Sequence, residues 1–120
     1  HFVYNLCSVR EYRVSAPFTS VNGITQISVI YTKTDGQSQG RVDLIVGNGE
    51  PVTDVIVETI STVFPLHSSL DCGLDRGLSV SADYESPFAF TGQIESVKVS
   101  IGEQRPVDYS KIIKASFSEQ

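Results

Sequence analysis

The chain has 120 residues, of which 40% are hydrophobic, so it has the size of one ordinary domain that buries a core without disulfides or metal. Its net charge of -5 and its lack of a clustered Lys/Arg footprint argue against nucleic acid or an anionic membrane surface as a partner. No apolar run approaches the roughly 20 residues that a membrane helix needs. Because the chain contains no Met and starts at His1, we expect it to be a processed or excised piece.

Alternating apolar and polar residues predict β-strands through the first half of the chain. The first two strands are expected over residues 2–6 and 11–14. Pro17 interrupts pairing soon after the second of them. A third strand is expected where Ile27, Val29 and Tyr31 alternate with smaller or polar residues. The polar run 34–40 that follows cannot supply core contacts, so it predicts an exposed hairpin loop.

The next hairpin has the clearest local signal in the chain. Val42, Leu44 and Val46 form one apolar face, and Gly47-Asn48-Gly49 supplies residues suited to a tight turn before a returning strand over 52–59. A further strand over 62–66 is expected at a sheet edge, because Pro65 has no backbone donor.

The period of two continues to a strand at 97–101, where apolar residues alternate with Lys98 and Ser100. No stretch keeps the apolar spacing of a helix, so we predict an all-β, two-layer antiparallel β-sandwich of the jelly-roll or concanavalin A-like kind. A boundary at Gly102 would separate this domain, residues 1–102, from an extension over 103–120. That extension fits either a short C-terminal helix or a last strand, packed on the sandwich or leading out of it.

An acidic, glycine-punctuated loop follows in the second half of the chain. Its four carboxylates are those of Asp71, Asp75, Asp83 and Glu85. Hard oxygen ligands on a bent loop are what Ca²⁺ requires, so the loop is a candidate calcium site. The spacing is not that of an EF-hand, and such side chains also stabilise loops by accepting hydrogen bonds from neighbouring backbone N–H groups. Both interpretations stay open.

Other candidate functional residues are few. Tyr12, Tyr84 and Tyr109 are candidate platforms for a sugar ring, and Arg76, on the same acidic loop as Tyr84, is a candidate ligand contact. Tyr4 and Tyr31 are expected in the core. Cys7 and Cys72 lack zinc-site spacing and are either a disulfide pair or two isolated thiols. His67 beside Ser68 has no nucleophile-elbow motif, so no catalytic residue is nominated.

The run Asp-Cys-Gly-Leu-Asp-Arg-Gly-Leu-Ser-Val-Ser-Ala-Asp-Tyr from Asp71, followed by Pro-Phe-Ala-Phe-Thr-Gly-Gln-Ile from Pro87, resembles the C-terminal region of bacterial arylsulfatases of the alkaline-phosphatase-like superfamily. Weaker likeness extends upstream over residues 24–31 and 41–51. Cys72 stands where that family usually has Val, and Leu78-Ser79 replaces a residue followed by Pro. The matching positions are Asp71, Gly73, Asp75, Gly77, Val80, Ser81, Asp83, Tyr84, Pro87, Phe88, Phe90, Thr91, Gly92 and Ile94.

The resemblance implies a non-catalytic accessory domain of a sulfuric ester hydrolase. The family's Cys/Ser-x-Pro-x-Arg motif is not found at Cys7 or Cys72, so the reactive centre would belong to a catalytic sulfatase domain of the same parent polypeptide. The acidic loop would then shape one wall of the substrate entrance, and the resemblance favours a periplasmic or secreted protein. The alternatives are an independent carbohydrate-binding, lectin-like module and a purely structural assembly domain.

Overall fold

The computed structural model describes residues 1–18, 23–34, 38–56, 58–60 and 70–102. This part of the chain is all-β, with antiparallel strands in three small sheets and no helix, which confirms the predicted class. Within it, no helix is long and apolar enough to cross a membrane. The strands are β1 (Phe2–Leu6), β2 (Arg10–Val14), β3 (Ile27–Lys33), β4 (Gly40–Val46), β5 (Val52–Ile56), β6 (Leu74–Asp75) and β7 (Phe88–Ala89).

The first sheet is the hairpin of β1 and β2. Its register places Phe2 opposite Val14 and Tyr4 opposite Tyr12, so these four side chains share one face. At the turn, Cys7 and Ser8 have φ values of 47° and 62°. Positive φ at two adjacent turn residues matches the right-handed twist of a hairpin, and Val9 N donates a hydrogen bond to Leu6 O at 2.8 Å.

The second sheet has the order β3-β4-β5, with β4 in the centre. The residues of β4 that alternate on its inner face are buried, and Val42 is fully inaccessible to solvent. Gly47 has φ of +59° and begins the predicted turn, in which Gly49 N donates to Val46 O at 3.0 Å. The turn therefore closes where glycine is needed.

The core forms where the hairpin packs on the inner face of the β3-β4-β5 sheet. Its buried members come from β2, β4 and β5: Val14, Val42, Leu44, Val46 and Ile56. Partly buried side chains border this cluster: Phe2, Tyr4, Tyr12, Ala16 and Val52. No residue of β3 belongs to either group, so the hairpin covers β4 and β5 and leaves the same face of β3 open.

The outer face of β4 carries a buried carboxylate, Asp43. Thr53 Oγ1 donates to Asp43 Oδ1 at 2.5 Å, and Arg41 donates to Oδ2 from Nη2 at 2.7 Å and from Nε at 3.1 Å. The Thr53 hydrogen bond and, after it, those of Arg41 hold the pKa of Asp43 below its usual range. These contacts explain how a charge is tolerated in the middle of the sheet.

Three sequence predictions need correction. Residues 97–101 are not a strand, because no described strand runs beside them to supply hydrogen bonds or a face on which to bury Val97 and Val99. The strand expected over 52–59 ends at Ile56. Tyr31 was expected in the core but is 44% exposed, because β3 lies outside the area that the hairpin covers. The predicted strand over 62–66 and the extension over 103–120 lie outside the described residues.

Candidate functional site

Residues 70–92, here called the acidic loop, fold around the short β6-β7 pair. Leu74 lies opposite Ala89 and Asp75 opposite Phe88, and Phe90 N extends the pairing by donating to Gly73 O at 2.8 Å. Gly73 has φ of +77°, a conformation that L side chains rarely adopt, so glycine is suited to the start of this pairing. The two ends of the acidic loop are therefore held together.

Tyr84 braces the interior of the acidic loop. Its hydroxyl donates to Asp75 Oδ2 at 2.5 Å and accepts a hydrogen bond from Val80 N at 3.0 Å. Its ring packs at 52° to the Phe88 ring, with centroids 5.2 Å apart. The hydrogen bond to Asp75 raises the pKa of Tyr84 above its ordinary value, because ionisation would remove the donated proton and place two negative charges together.

Arg13 of β2 attaches the acidic loop to the first hairpin. Its Nη2 donates to Ser81 Oγ at 2.8 Å and to Glu11 Oε1 at 2.6 Å, while Nη1 forms an ion pair with Asp83. The Arg13 hydrogen bond lowers the pKa of Asp83. Asn5 Nδ2 adds a second link by donating to Val80 O at 2.8 Å.

The four carboxylates do not converge on one point. Asp71 Oδ2 accepts from Arg76 N at 3.4 Å, Asp75 Oδ1 accepts from Gly77 N at 3.1 Å, and Asp83 is paired with Arg13. Glu85 is exposed. In the part of the chain that the structure describes, no three His, Cys, Asp or Glu side chains lie together as metal ligands. The calcium site therefore stays a prediction of the sequence.

An open cleft of about 490 Å³ lies along the acidic loop. Arg76 and Tyr84, two of the residues predicted to bind a ligand, both line it. Its walls combine apolar and charged side chains: Leu70, Asp71, Leu74, Asp75, Arg76, Leu78, Val80, Tyr84, Phe88 and Phe90. Apolar surface with a few polar groups is typical of small-molecule clefts.

Tyr12, another residue predicted to bind a ligand, lies elsewhere, and Tyr109 lies outside the described residues. It borders the core, with its ring centroid 6.2 Å from that of Tyr4 and the Arg10 guanidinium 5.9 Å from its ring. The structure thus brings Tyr84 and Arg76 together but not Tyr12, because the hairpin register places Tyr12 on the face that packs inward.

The two cysteines are both exposed and free, so the alternative that joins them in a disulfide is not formed. Cys7 occupies the β1-β2 turn, and Cys72 lies in the acidic loop. His67 lies outside the described residues.

Sequence reasoning missed the role of Arg13 as the anchor of the acidic loop. Its contacts reach across 68 residues of sequence to Ser81 and 70 to Asp83. The sequence pattern around β2 predicts a strand, but it does not show which loop the guanidinium of Arg13 contacts. Ser81 was singled out only as a position of the family pattern, and Asp83 as such a position and as a candidate calcium ligand, not as a partner of Arg13.

We expect Tyr84→Phe to destabilise the acidic loop by about 1–2 kcal/mol, because Asp75 loses a donor and Val80 N loses an acceptor. The raised pKa of Tyr84 fixes the pH dependence. The contribution of the Tyr84 hydrogen bond to the free energy of unfolding is fully present below the ordinary tyrosine pKa of about 10. It is lost as pH rises through the pKa that Tyr84 has in the folded chain. Urea unfolding between pH 7 and 11 measures both effects.

Tyr12→Phe is the matched control, since within the described part of the chain the Tyr12 hydroxyl accepts one long, 3.5 Å hydrogen bond, from Arg10 Nη1. In this variant the free energy of unfolding should change between pH 7 and pH 11 by the same amount as in the original chain. Equal pH profiles for the Tyr84→Phe variant and the original chain would contradict the assigned hydrogen bond.

Comparison with protein-family models, with curated proteins and with solved structures finds no match for this chain.

Proposed function

We propose that this chain is a non-catalytic accessory domain that packs on a catalytic domain of the same polypeptide through the apolar side of the acidic loop. The parent protein would be an arylsulfatase-like sulfuric ester hydrolase, and the loop would form one wall of its substrate entrance. The enzyme class rests on the residue pattern between Asp71 and Ile94. In this proposal the hairpin and the three-stranded sheet are the two layers of a β-sandwich of the jelly-roll kind.

The observation that carries the proposal is the apolar surface of the acidic loop. Leu70 is 88% exposed and Leu78 is 92% exposed, and both Phe88 and Phe90 are more than half exposed. These four residues, here called the apolar patch, all line the same cleft. Contiguous exposed apolar surface of this kind marks an interaction site in soluble proteins.

The polar groups of the loop are used for internal support. Asp75, Tyr84 and Asp83 are each engaged by hydrogen bonds or an ion pair within the chain. The loop is therefore braced before any partner arrives, which lowers the ordering cost of binding. A braced loop that presents apolar side chains suits packing against another protein domain.

The alternative is an independent carbohydrate-binding module, and a specific observation favours it. The cleft places the Tyr84 and Phe88 rings beside Asp71, Asp75 and Arg76, which combines apolar rings with hydrogen-bonding groups. Sugars are bound by such combinations, because a pyranose ring has both apolar faces and hydroxyl groups. The net charge of -5 makes a neutral oligosaccharide a better ligand than a sulfated one.

The test begins with the reading frame that encodes this chain, in which we expect an upstream domain with the Cys/Ser-x-Pro-x-Arg motif. The 120-residue chain and that upstream domain are then produced separately and mixed in a calorimeter. We expect saturable binding, weakened at least about tenfold when Leu78 and Phe90 are both replaced by Ser, because central apolar anchors dominate such interfaces. Val9→Ser, at an exposed hairpin turn, is the matched control and should bind normally.

Absence of an upstream catalytic domain, or affinity unchanged by the double substitution, would overturn the proposal. Titration with neutral and sulfated oligosaccharides is the second arm. Saturable sugar binding that Tyr84→Ala abolishes, together with no binding to the upstream domain, would establish the carbohydrate module instead.

A further inference from the structure

Strand β3 has a free edge among the described residues, because it pairs with β4 on one side only. On its inner face, Ile27, Val29 and Tyr31 continue the rows of core residues on β4, lying opposite Val46, Leu44 and Val42 respectively. They are 44–57% exposed, although their row neighbours on β4 are buried. An apolar edge strand of seven residues is a template for pairing with another strand.

Residues 95–101, here called the donor segment, have the sequence of a strand but no sheet to pair with among the described residues. Their sequence alternates as a strand should, yet the segment has no strand pairing and is exposed throughout. Val97, Val99 and Ile101 are 59%, 70% and 77% exposed. Alternation of this kind stabilises a chain only when one face is buried against a sheet.

Antiparallel pairing of the donor segment with β3 matches the two sequences along the inner face. One register places apolar residues together at three successive sites of the inner face: Ile101 with Ile27, Val99 with Val29, and Val97 with Tyr31. The next site on the same face joins Glu95 to Lys33, a pair of opposite charges. Each such cross-strand pair adds roughly 0.2–1 kcal/mol relative to two alanines.

The other face and the competing registers support the same arrangement. On the outer face, Ser100 lies opposite Ser28, Lys98 opposite Ile30 and Ser96 opposite Thr32, so two of these three pairs join small polar residues. A slip of the antiparallel register by one residue would turn Lys98 onto the apolar face. A parallel alignment that starts both segments together would place Glu95 beside Ile27. Both alternatives lose matched pairs, so the antiparallel register is specified.

We propose that two copies of this chain exchange donor segments, each adding residues 95–101 antiparallel to the β3 edge of the other. Within a single chain both the segment and the edge are exposed, so the pairing is not made in cis. Each copy has one donor segment and one free β3 edge. Reciprocal exchange about a two-fold axis pairs both donor segments with both edges. The interface extends the β3-β4-β5 sheet to a fourth strand and does not use the apolar patch of the acidic loop.

Light scattering on the 120-residue chain should give twice the chain mass of 13.1 kDa at micromolar concentration. Val99→Pro removes a backbone donor from the middle of the donor segment and should give a monomer. The control is Val9→Ser, at the exposed hairpin turn, which should remain dimeric. A proline is not used at Val9, because it would disturb the folding of the turn.

A charge exchange tests the register and the intermolecular nature of the pairing. Glu95→Lys places Lys opposite Lys33, and Lys33→Glu places Glu opposite Glu95, so each variant alone should dimerise roughly tenfold more weakly through two like-charge contacts per dimer. Mixing the two single variants restores opposite charges at both contacts and should give a heterodimer of the original affinity. The Glu95→Lys/Lys33→Glu double variant should also dimerise normally.

A monomer at hundreds of micromolar, or a dimer indifferent to Val99→Pro, would overturn the proposal. Failure of the mixed single variants to associate, with normal behaviour of the double variant, would do the same, because only pairing within one chain would explain it. Circular dichroism of each variant distinguishes loss of the interface from loss of the fold.

Discussion

Replacing Val42 by Asn should cost about 3–5 kcal/mol of folding free energy and leave much of the chain unfolded near room temperature. Val42 is fully buried in the centre of β4, where the hairpin meets the three-stranded sheet. The substitution removes apolar contacts and buries an amide in the apolar core. Domains of this size are stable by only about 5–15 kcal/mol, and a core of few buried residues places this one toward the lower end. Urea unfolding followed by circular dichroism measures the loss.

Thr32→Asn is the matched control because Thr32 lies on β3 with its side chain exposed on the outer face. Its effect should stay within about 0.5 kcal/mol. Equal losses for the two variants would mean that the inner face of the sheet is not the core.

Truncating Ile56 to Ala should destabilise the chain by about 2–5 kcal/mol. Ile56 is 2% exposed and lies at the end of β5, opposite Gly40 of β4. Removing three buried carbons loses transfer free energy and leaves a cavity between hairpin and sheet. The midpoint of urea unfolding should fall with little change in slope, because the surface exposed on unfolding stays nearly the same.

The comparison variant is Ile24→Ala, whose side chain is 68% exposed. It should change the free energy of unfolding by no more than about 0.5 kcal/mol. A loss at Ile24 as large as that at Ile56 would contradict the described core.

Local pattern predicted the first five strands well because each contains the information that its pairing needs. Alternation marked the faces of β1, β3 and β4, and the glycines after Val46 marked the turn that returns the chain. Residues 97–101 show the limit of the same signal. Alternation states which face a strand would bury but not whether a neighbouring strand is there to cover it, and here none is described.

The sequence predicted where the candidate site lies but not which groups its carboxylates bind. Glycines and carboxylates between Asp71 and Glu85 correctly marked a structured acidic loop, but composition alone could not separate metal ligation from hydrogen bonding to the backbone. The distinction depends on partners such as Tyr84 for Asp75 and Arg13 for Asp83. The second of these lies on a strand 70 residues away in sequence, so only the folded chain reveals it.

Amide hydrogen exchange in the acidic loop shows whether the apolar patch packs on a catalytic domain. The 120-residue chain is measured alone and then with the upstream domain of the same reading frame, comparing residues 76–80 and 88–92 with the β1-β2 turn at Cys7 and Ser8. We predict slower exchange around Leu78 and Phe90 when the domain is present, and no change at the turn. Unchanged exchange in the acidic loop at saturating concentrations of the upstream domain would contradict this prediction.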